Sequence, residues 1–341
     1  MPDPCVGSSG DTLFSNLPTN NFTATPFFAP DTEDLRFLPE GPRVLRSSAR
    51  LGWVAIQHSA TSREGSFNIL DLHSGQNEQH ILNGRPGFFA ETSTPDVIVI
   101  GLERRLVLFN YLTGQTGDTL AELDCPDDVI INDGLAVDGG ILFGTKHLKF
   151  NEPKAALYYF NSSTRRVHTV VDRQICSNGK CLRRQGNQAT LIDIDSTPKT
   201  ITRYRLDAAL EHILEQSLLV PPERLPALPD GLRPSPAHDS VIVAFYNPAA
   251  VADGIAQEIS LADGSVITEW TLPGSPRVTC PEFVELDGAV KILFTTATEG
   301  MDDATRRIAK GAGYMYIADT AFDRMPPSPS EVRYLPDAAT S

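Results

Sequence analysis

Short runs of Val, Ile, Leu, Phe and Tyr alternate with turns rich in Gly, Asp, Asn and Pro from Leu35 onward. This spacing is typical of β-strands separated by tight turns, and it leaves little room for helices. The pattern therefore predicts an all-β protein. The predicted strands cover residues 52–57, 67–72, 97–101, 105–111, 140–145, 156–160, 190–195, 201–206, 240–246, 257–261, 290–295 and 314–317.

One segment has helical spacing instead. In residues 207–219, Leu210, Ile213, Leu214 and Leu218 recur in register, as they would along one face of an α-helix. We expect a short helix here, between two strands, which leaves the all-β class unchanged.

A weak internal repeat favours a propeller over a sandwich. Segments in which a strand runs into a polar turn recur at intervals of about 40 to 55 residues, the length of one four-stranded propeller blade. At that period the chain accommodates about six blades. The repeated segments are 70–75, 109–114, 160–164, 204–207 and 259–264.

The N-terminal segment differs in composition from the rest. Residues 1–34 are rich in Pro, Ser, Thr, Asn and Gly, with only scattered Phe residues to anchor them. Such a composition predicts an extended arm rather than a packed unit. We therefore expect an arm over 1–34 and one six-bladed β-propeller domain over 35–341.

Charge narrows the range of partners. Lys and Arg together number 29 against 43 for Asp and Glu, a net charge of −14, which repels phosphate backbones and anionic membranes. No apolar stretch reaches membrane-spanning length, and the N-terminus lacks the order of a secretion signal. The sequence predicts a cytoplasmic monomer that acts on a small molecule, without nucleic-acid or membrane partners.

The five cysteines are an odd number spread along the chain, which indicates mostly reduced thiols rather than a disulfide framework. Cys176 and Cys181 are near neighbours, which leaves a bridge or a metal role open for this pair. No second Cys or His pair lies nearby, so the signal for zinc is weak.

Four acidic or amide triplets, far apart in sequence, each stand beside a hydrophobic run: EGP at 40–42, NDG at 132–134, SNG at 177–179 and PDG at 229–231. Any one of them alone is an ordinary tight turn. In a propeller, however, each falls at the start of an expected innermost strand in a different blade, and these strands converge on one axis. Oxygen ligands from distant segments that meet at one point form a hard-cation site for Ca²⁺, Mg²⁺ or Mn²⁺ rather than Zn²⁺ or Cu²⁺.

Several motifs in order resemble the SMP-30/gluconolactonase/luciferin-regenerating enzyme family of six-bladed propellers. The resemblance extends over about residues 35–317. Its carriers are LPEGP at 38–42, GLERRL at 101–106, NDG at 132–134, SNG at 177–179, IDS at 194–196, PDGL at 229–232 and VTC at 278–280.

This resemblance implies one divalent cation in the central channel. By motif match, Glu40, Asn178 and Asp230 would be its protein ligands, and Asn132 would lie close by, on the metal or on the substrate. In family members that hydrolyse lactones, the ion polarises the ring carbonyl and the Asp of the PDG motif is thought to help activate water. Asp230 is therefore also the expected catalytic residue of a metal-dependent lactone or ester hydrolase.

One departure from the family bears on the substrate. Lactonases of this family that act on sugar acids often carry Arg two residues before the NDG asparagine, where this chain has Ile130. We therefore expect Ile130 to line the substrate site and the substrate to be less polar than a sugar lactone. His147 is a further candidate at the mouth of the funnel, with a solvated strand end as its alternative role, and the same choice applies to Arg277.

Two other functions remain open. A propeller with a mostly apolar funnel could serve as a cyclase or pericyclase of secondary metabolism, and Ile130 and the Phe residues of the arm motivate that interpretation. The third alternative is a non-catalytic metal-binding propeller, because one fold hosts many functions.

Overall fold

The computed structural model describes residues 20–46, 50–327 and 330–332. Its strands form six separate sheets, and the first strand of each sheet contacts the first strand of the next around a closed ring. The chain is thus an all-β six-bladed propeller, as the repeat predicted.

Each blade is a sheet in which successive strands pair antiparallel from the channel outward. The innermost strands are β3 (Pro39–Val44), β7 (Pro86–Glu91), β11 (Val129–Val137), β15 (Ser177–Gln185), β19 (Leu228–Pro234) and β23 (Val278–Leu286). The second strands are β4 (Arg50–Ala55), β8 (Val97–Leu102), β12 (Gly140–His147), β16 (Gln188–Asp195), β20 (Ser240–Tyr246) and β24 (Ala289–Thr296).

The outer half of each blade is built from two further strands. The third strands are β5 (Gly65–Asp71), β9 (Arg105–Asn110), β13 (Ala155–Asn161), β17 (Thr200–Asp207), β21 (Gly254–Ser260) and β25 (Met315–Asp319). The fourth strands of the first five blades are β6 (Asn77–Leu82), β10 (Gln115–Glu122), β14 (Arg166–Gln174), β18 (Ile213–Val220) and β22 (Val266–Leu272).

The N-terminal segment completes the last two blades. β2 (Thr25–Phe28) pairs antiparallel with β25 and is the outer strand of the sixth blade, while β1 (Asn20–Thr23) pairs parallel with β22 in the fifth. The described part of the predicted arm therefore belongs to blade edges, and residues 1–19 lie outside the described residues. Because strands from both ends of the chain share one sheet, the ring is closed by pairing.

Bulky apolar side chains fill the space between blades. Trp53, Phe143 and Trp270 are each completely buried, and the apolar residues group into clusters that join adjacent blades. In β12 every residue is buried, because this strand is covered on both faces. Runs such as GILF in this strand are therefore continuously apolar, whereas a strand with one solvent-exposed face would alternate apolar and polar residues.

The helix expected over 207–219 is not formed, and that prediction was wrong. After a turn at Leu210, which has φ +62°, the chain enters β18, which pairs antiparallel with β17. Ile213, Leu214 and Leu218 are 41%, 49% and 52% exposed at this blade edge, so no helical face is buried. Hydrogen bonding to β17 outweighs the local helical spacing.

Helices in the described residues are short: α1 (Glu33–Phe37), α2 (Asp303–Ile308) and a 3₁₀ turn at Pro222–Arg224. Across the described part of the chain, no helix has the length and apolar content needed to cross a bilayer. The described cysteines are free thiols, including Cys176 and Cys181, so this pair forms no bridge.

Candidate functional site

The four triplets lie within innermost strands, at irregularities in their pairing. The ladder shifts register between Glu40 and Arg43 in β3, and equivalent shifts occur near the start of β11, β15 and β19. Such β-bulges turn the strand locally and re-aim its side chains. The sequence suggested that the four triplets form turns that precede strands. In the structure they lie inside the innermost strands, at β-bulges.

These bulges bring side chains from four blades into one cavity. A cavity of about 470 Å³ lies at the end of the channel where the innermost strands begin, and Glu40, Asn132, Asn178 and Asp230 all line it. The structure thus brings together the three predicted metal ligands and the predicted neighbouring asparagine, although Glu40 and Asp230 are 190 positions apart in the sequence.

The surroundings of Glu40 and Asp230 disfavour the ionised form of both carboxyl groups. Burial, with a contribution from the charge of Asp133, raises the pKa of Glu40 to about 8. Burial and the charge of Glu40 raise the pKa of Asp230 well above its usual range. Asp230 Oδ1 is buried and accepts no hydrogen bond from any described residue. Two carboxyl groups so placed require protons or a cation.

The two asparagines contribute oxygen atoms to the same space. Asn132 Nδ2 donates to the Ser177 carbonyl at 3.1 Å, and Asn178 Nδ2 donates to Ser196 Oγ at 3.0 Å. The amide nitrogens are thereby engaged by protein acceptors, and no hydrogen bond from the described residues reaches either Oδ1. Both amide oxygens remain available to a ligand.

This donor set fits a hard divalent cation. Two carboxylates and two amide oxygens are the ligand types that Ca²⁺, Mg²⁺ and Mn²⁺ prefer, and Asp230 Oδ1 lacks the partner that such an ion would supply. Within the described ranges no three His, Cys, Asp or Glu side chains are grouped for metal binding. The fit therefore depends on the amide oxygens as well as the two carboxylates.

Three residues of the cavity that carry a charge or a phenol were not predicted from the sequence. Lys146, Tyr246 and Glu299 line it beside the predicted residues. The Lys146 charge acts to lower the pKa values of Glu40 and Asp230, whereas that of Glu299 raises the pKa of Asp230. Tyr246 donates its hydroxyl hydrogen to the Glu299 carbonyl at 2.9 Å. Of these three, only Lys146 could have been noticed in the sequence, because it is a cation that directly follows the largely apolar GILFGT run.

Cys176 also lines the cavity, between the two asparagines. Burial raises the pKa of its thiol well above the usual range, so the sulfur stays protonated near neutral pH. It is 3.7 Å from Asn132 Nδ2 and 3.8 Å from Asn178 Nδ2. The contacts indicate a weak acceptor that helps to orient both amides.

Other predicted residues lie outside this lining. Ile130 is 1% exposed and faces Lys146 across the β11–β12 ladder, but it is Lys146 that lines the cavity. His147 is completely buried, with Nε2 3.1 Å from Asp128 Oδ2, so it is not a solvated strand end. Arg277 is buried with its guanidinium 5.4 Å from the ring centre of Tyr246, which lines the cavity, but Arg277 itself does not line it.

A larger cavity of about 740 Å³ lies toward the opposite end of the innermost strands. Its buried cations are already paired: Arg43 and Arg233 lie 3.3 Å and 3.0 Å from Glu282. Lys180 lies 2.9 Å from Asp133. Because these charges are compensated within the protein, we place the candidate site at the end that holds Glu40 and Asp230.

Comparison with solved structures gives several propellers of the same architecture. The calcium-binding protein regucalcin from Agrobacterium tumefaciens matches with a TM-score of 0.77 at 20% identity, over 93% of this chain and 100% of its own. A luciferin-regenerating enzyme matches with a TM-score of 0.71 at 19% identity, over 87% and 95%. A gluconolactonase from Xanthomonas campestris matches with a TM-score of 0.59 at 12% identity, over 89% and 99%.

At these identities the structural matches show the fold. Comparison with curated protein sequences finds no significant match. The model of the SMP-30/gluconolactonase/LRE-like region matches residues 38–298, which is more than half of the sequence and includes all four triplets. The chain therefore belongs to the SMP-30/gluconolactonase/LRE-like family.

Proposed function

We propose that this protein is a hydrolase that opens a lactone or a related ester with the help of one divalent cation. The observation that carries the proposal is Asp230 Oδ1, a buried oxygen without a hydrogen-bond partner among described residues, in a cavity shared with Glu40 and two asparagine amides. The names of the gluconolactonase and of the calcium-binding regucalcin among the structural neighbours agree with it.

Glu40, Asn178 and Asp230 would hold the ion, and Asn132 Oδ1 would complete its shell or bind the substrate. A bound Ca²⁺, Mg²⁺ or Mn²⁺ would polarise the ester carbonyl and stabilise negative charge on its oxygen. The protein oxygens come from four innermost strands of a closed ring, so the site is preorganised on rigid elements.

Asp230 is suited to accept a proton during the reaction. No described residue donates to its Oδ1. With the ion bound at Oδ1 and the carboxyl ionised, the second oxygen would take the proton of a water that attacks the carbonyl and pass it to the alcohol oxygen as the ester C–O bond breaks. Around this polar floor Leu38, Ile56, Phe150 and Leu228 form an apolar wall. The wall favours a substrate with a sizeable apolar part and excludes bulk water from the reacting carbonyl.

Hydrolysis of a panel of γ- and δ-lactones, assayed with and without chelator, tests the proposal. Chelation should abolish turnover, and adding Ca²⁺, Mg²⁺ or Mn²⁺ should restore it. Asp230→Asn should reduce kcat by at least about a hundredfold, whereas Asp128→Asn, which changes a carboxylate outside the cavity, should not. Turnover that is indifferent to chelator, or equal in both variants, would refute the proposal.

Cyclisation within the same funnel is the second candidate function, and the apolar wall is the observation that favours it. The two sequence features that suggested a cyclase are not part of the cavity. Ile130 does not line it, and Phe22 of the arm stacks on Trp270 at the fifth blade. Product mass separates the two reactions. Hydrolysis adds one water to the substrate, whereas a cyclisation or cycloaddition adds none.

A further inference from the structure

We propose that Lys146 binds an anionic group of the ligand, so that the preferred substrate is a largely apolar lactone or ester that carries a carboxylate. This inference deepens the proposed function and rests on it. It identifies Lys146 as a specificity residue that the family resemblance did not indicate.

The side chain of Lys146 is largely buried, and its ammonium group has no protein partner among the described residues. The residue is 4% exposed and lines the cavity, and no hydrogen bond or ion pair within the described residues reaches its Nζ. Lys180 provides the contrast, because it is buried to a similar degree but its Nζ lies 2.9 Å from Asp133 Oδ2. A charge on a largely buried side chain is costly without a counter-charge, so an anion that enters the cavity is the partner that this site lacks.

The contacts that Lys146 does make are weak. Its Nζ lies 5.9 Å from the ring centre of Phe150, at the outer limit of a cation–π contact. This geometry holds the ammonium beside the apolar wall without satisfying its hydrogen-bond donors. Three N–H donors therefore remain for a ligand.

Glu40 and Asp230 are the obvious protein partners for this ammonium, but neither forms an ion pair with Lys146 within 4.0 Å. In the proposed function their two negative charges are compensated by the divalent cation. Glu299, the remaining acid of the cavity, has its carboxylate 3.5 Å from the Tyr246 hydroxyl. Lys146 is thus the positive group left to face an anionic ligand.

The position of Lys146 defines the shape of such a ligand. The ester carbonyl lies at the carboxylate and amide floor, and the carboxylate of the ligand lies against Lys146 on the β12 side. The apolar remainder contacts Leu38, Ile56 and Leu228. The apolar wall agrees with the expectation of a ligand less hydroxylated than a sugar lactone, but Lys146 adds a requirement for negative charge.

Calorimetric binding of two ketone analogues that cannot be hydrolysed tests this inference. The probes are 3-oxocyclopentanecarboxylate and its neutral carboxamide, each titrated into protein supplied with Ca²⁺. The wild type should bind the carboxylate about tenfold more tightly, and Lys146→Met should bind both equally. Lys146→Arg should retain the preference, as should the matched control Lys154→Met, which removes a lysine outside the cavity.

Lys146→Met should fold, because it replaces an unpartnered ammonium by an apolar chain of similar length; Lys146→Gln gives the same comparison if it does not. A wild type without preference for the carboxylate, including one that binds neither probe, overturns the inference. So does a Lys146→Met variant that keeps the preference.

The lactone assay distinguishes this failure from failure of the proposed function. If γ-lactones that carry a carboxylate are opened at the same rate as γ-lactones that do not, the hydrolase proposal stands and the role of Lys146 is wrong. If Lys146 confers carboxylate preference in binding but no lactone or ester is opened, the ligand class stands and the reaction is wrong. A loss of kcat for neutral and anionic lactones alike in Lys146→Met would assign the residue to the reacting oxygen instead.

Discussion

The carboxyl groups of Glu40 and Asp230, to which we assign the metal, carry a cost in stability. Both are buried, and the pKa of each lies far above that of a carboxyl group in water. Without a cation, ionising them in the folded state is therefore harder than in the unfolded chain. The two groups that we propose as metal ligands therefore make the metal-free protein less stable.

Asp230→Asn should stabilise the metal-free protein and abolish its response to metal. The amide has similar shape but no charge to bury, so the melting temperature in chelator near pH 9 should exceed that of the wild type by a few degrees. Added Ca²⁺, Mg²⁺ or Mn²⁺ should raise the melting temperature of the wild type but not of the variant. Thermal unfolding by circular dichroism measures both; Asp128→Asn should keep the metal response, and a metal response retained by Asp230→Asn would contradict the assignment.

The raised pKa of Glu40 predicts how the stability of the metal-free protein depends on pH. Its pKa is raised from 4.5 to about 8 in the folded state, so the folded state holds the proton more tightly than the unfolded chain does. Stability from this group is fully present below the unfolded pKa and is lost as pH rises through about 8. In chelator, the denaturant midpoint should fall between about pH 5 and pH 8 and level off above that, and Glu40→Gln should reduce that fall. A saturating divalent cation should also remove it, and an unchanged slope in Glu40→Gln would contradict the prediction.

At the scale of elements, the bulges near the starts of the innermost strands decide which side chains reach the channel. The bulges of the SNG and PDG segments contain Gly179 and Gly231. Each of these glycines lies against the innermost strand of the next blade. A Cβ added to Gly179 would lie 2.4 Å from the backbone nitrogen of Leu232, and one added to Gly231 would lie 2.6 Å from the Thr279 carbonyl oxygen. Close backbone approach between blades, rather than turn formation, is what these glycines permit.

Gly179→Ala should therefore destabilise the protein by about 1–3 kcal/mol through overpacking against backbone that is unable to rotate away. It should also weaken metal binding, because β15 and β19 present Asn178 and Asp230. Gly117→Ala is the control, since its added Cβ would lie 3.4 Å from Leu108 Cβ in ordinary contact. Urea unfolding and metal titration give the two readouts, and equal midpoints for the two variants would show that the blades tolerate the methyl group.

At the scale of the whole molecule, closure of the ring depends on residues near the N-terminus. β2 supplies the fourth strand of the sixth blade, and β1 extends the fifth, where Phe22 stacks on Trp270 with ring centres 6.1 Å apart. These strands pair with segments more than two hundred residues away in sequence. The ring that places four donors around one axis is thus held closed by its first described strands.

Deletion of residues 1–28 should lower the melting temperature by more than about 5 °C, because it removes β1 and β2 and exposes the edges of β22 and β25. It should also reduce metal affinity, since the innermost strands of an open ring are less firmly placed. Deletion of residues 1–19 alone retains both strands and is the control. Equal melting temperatures for the two truncations, measured by calorimetry, would show that closure does not depend on these strands.

The sequence by itself determined the blade repeat and which four polar side chains meet in one cavity. Runs of β-branched and aromatic residues and the spacing of polar turns are local signals, and they predicted the strands without tertiary information. Glu40, Asn132, Asn178 and Asp230 share one cavity because each occupies a comparable place in a repeated unit. A repeat brings comparable positions to one axis, which is why residues far apart in sequence were placed correctly.

Only the tertiary structure decided what surrounds those donors. Residues 207–219 have helical spacing, but the chain forms β18 over Ile213–Val220 because β17 offers an edge to pair with. Ile130 and His147 lie close in sequence or register to Lys146, yet only Lys146 lines the cavity. Which side chain reaches the channel, and whether its charge finds a partner there, depends on bulges and on contacts between blades. These are interactions between segments that no local pattern records.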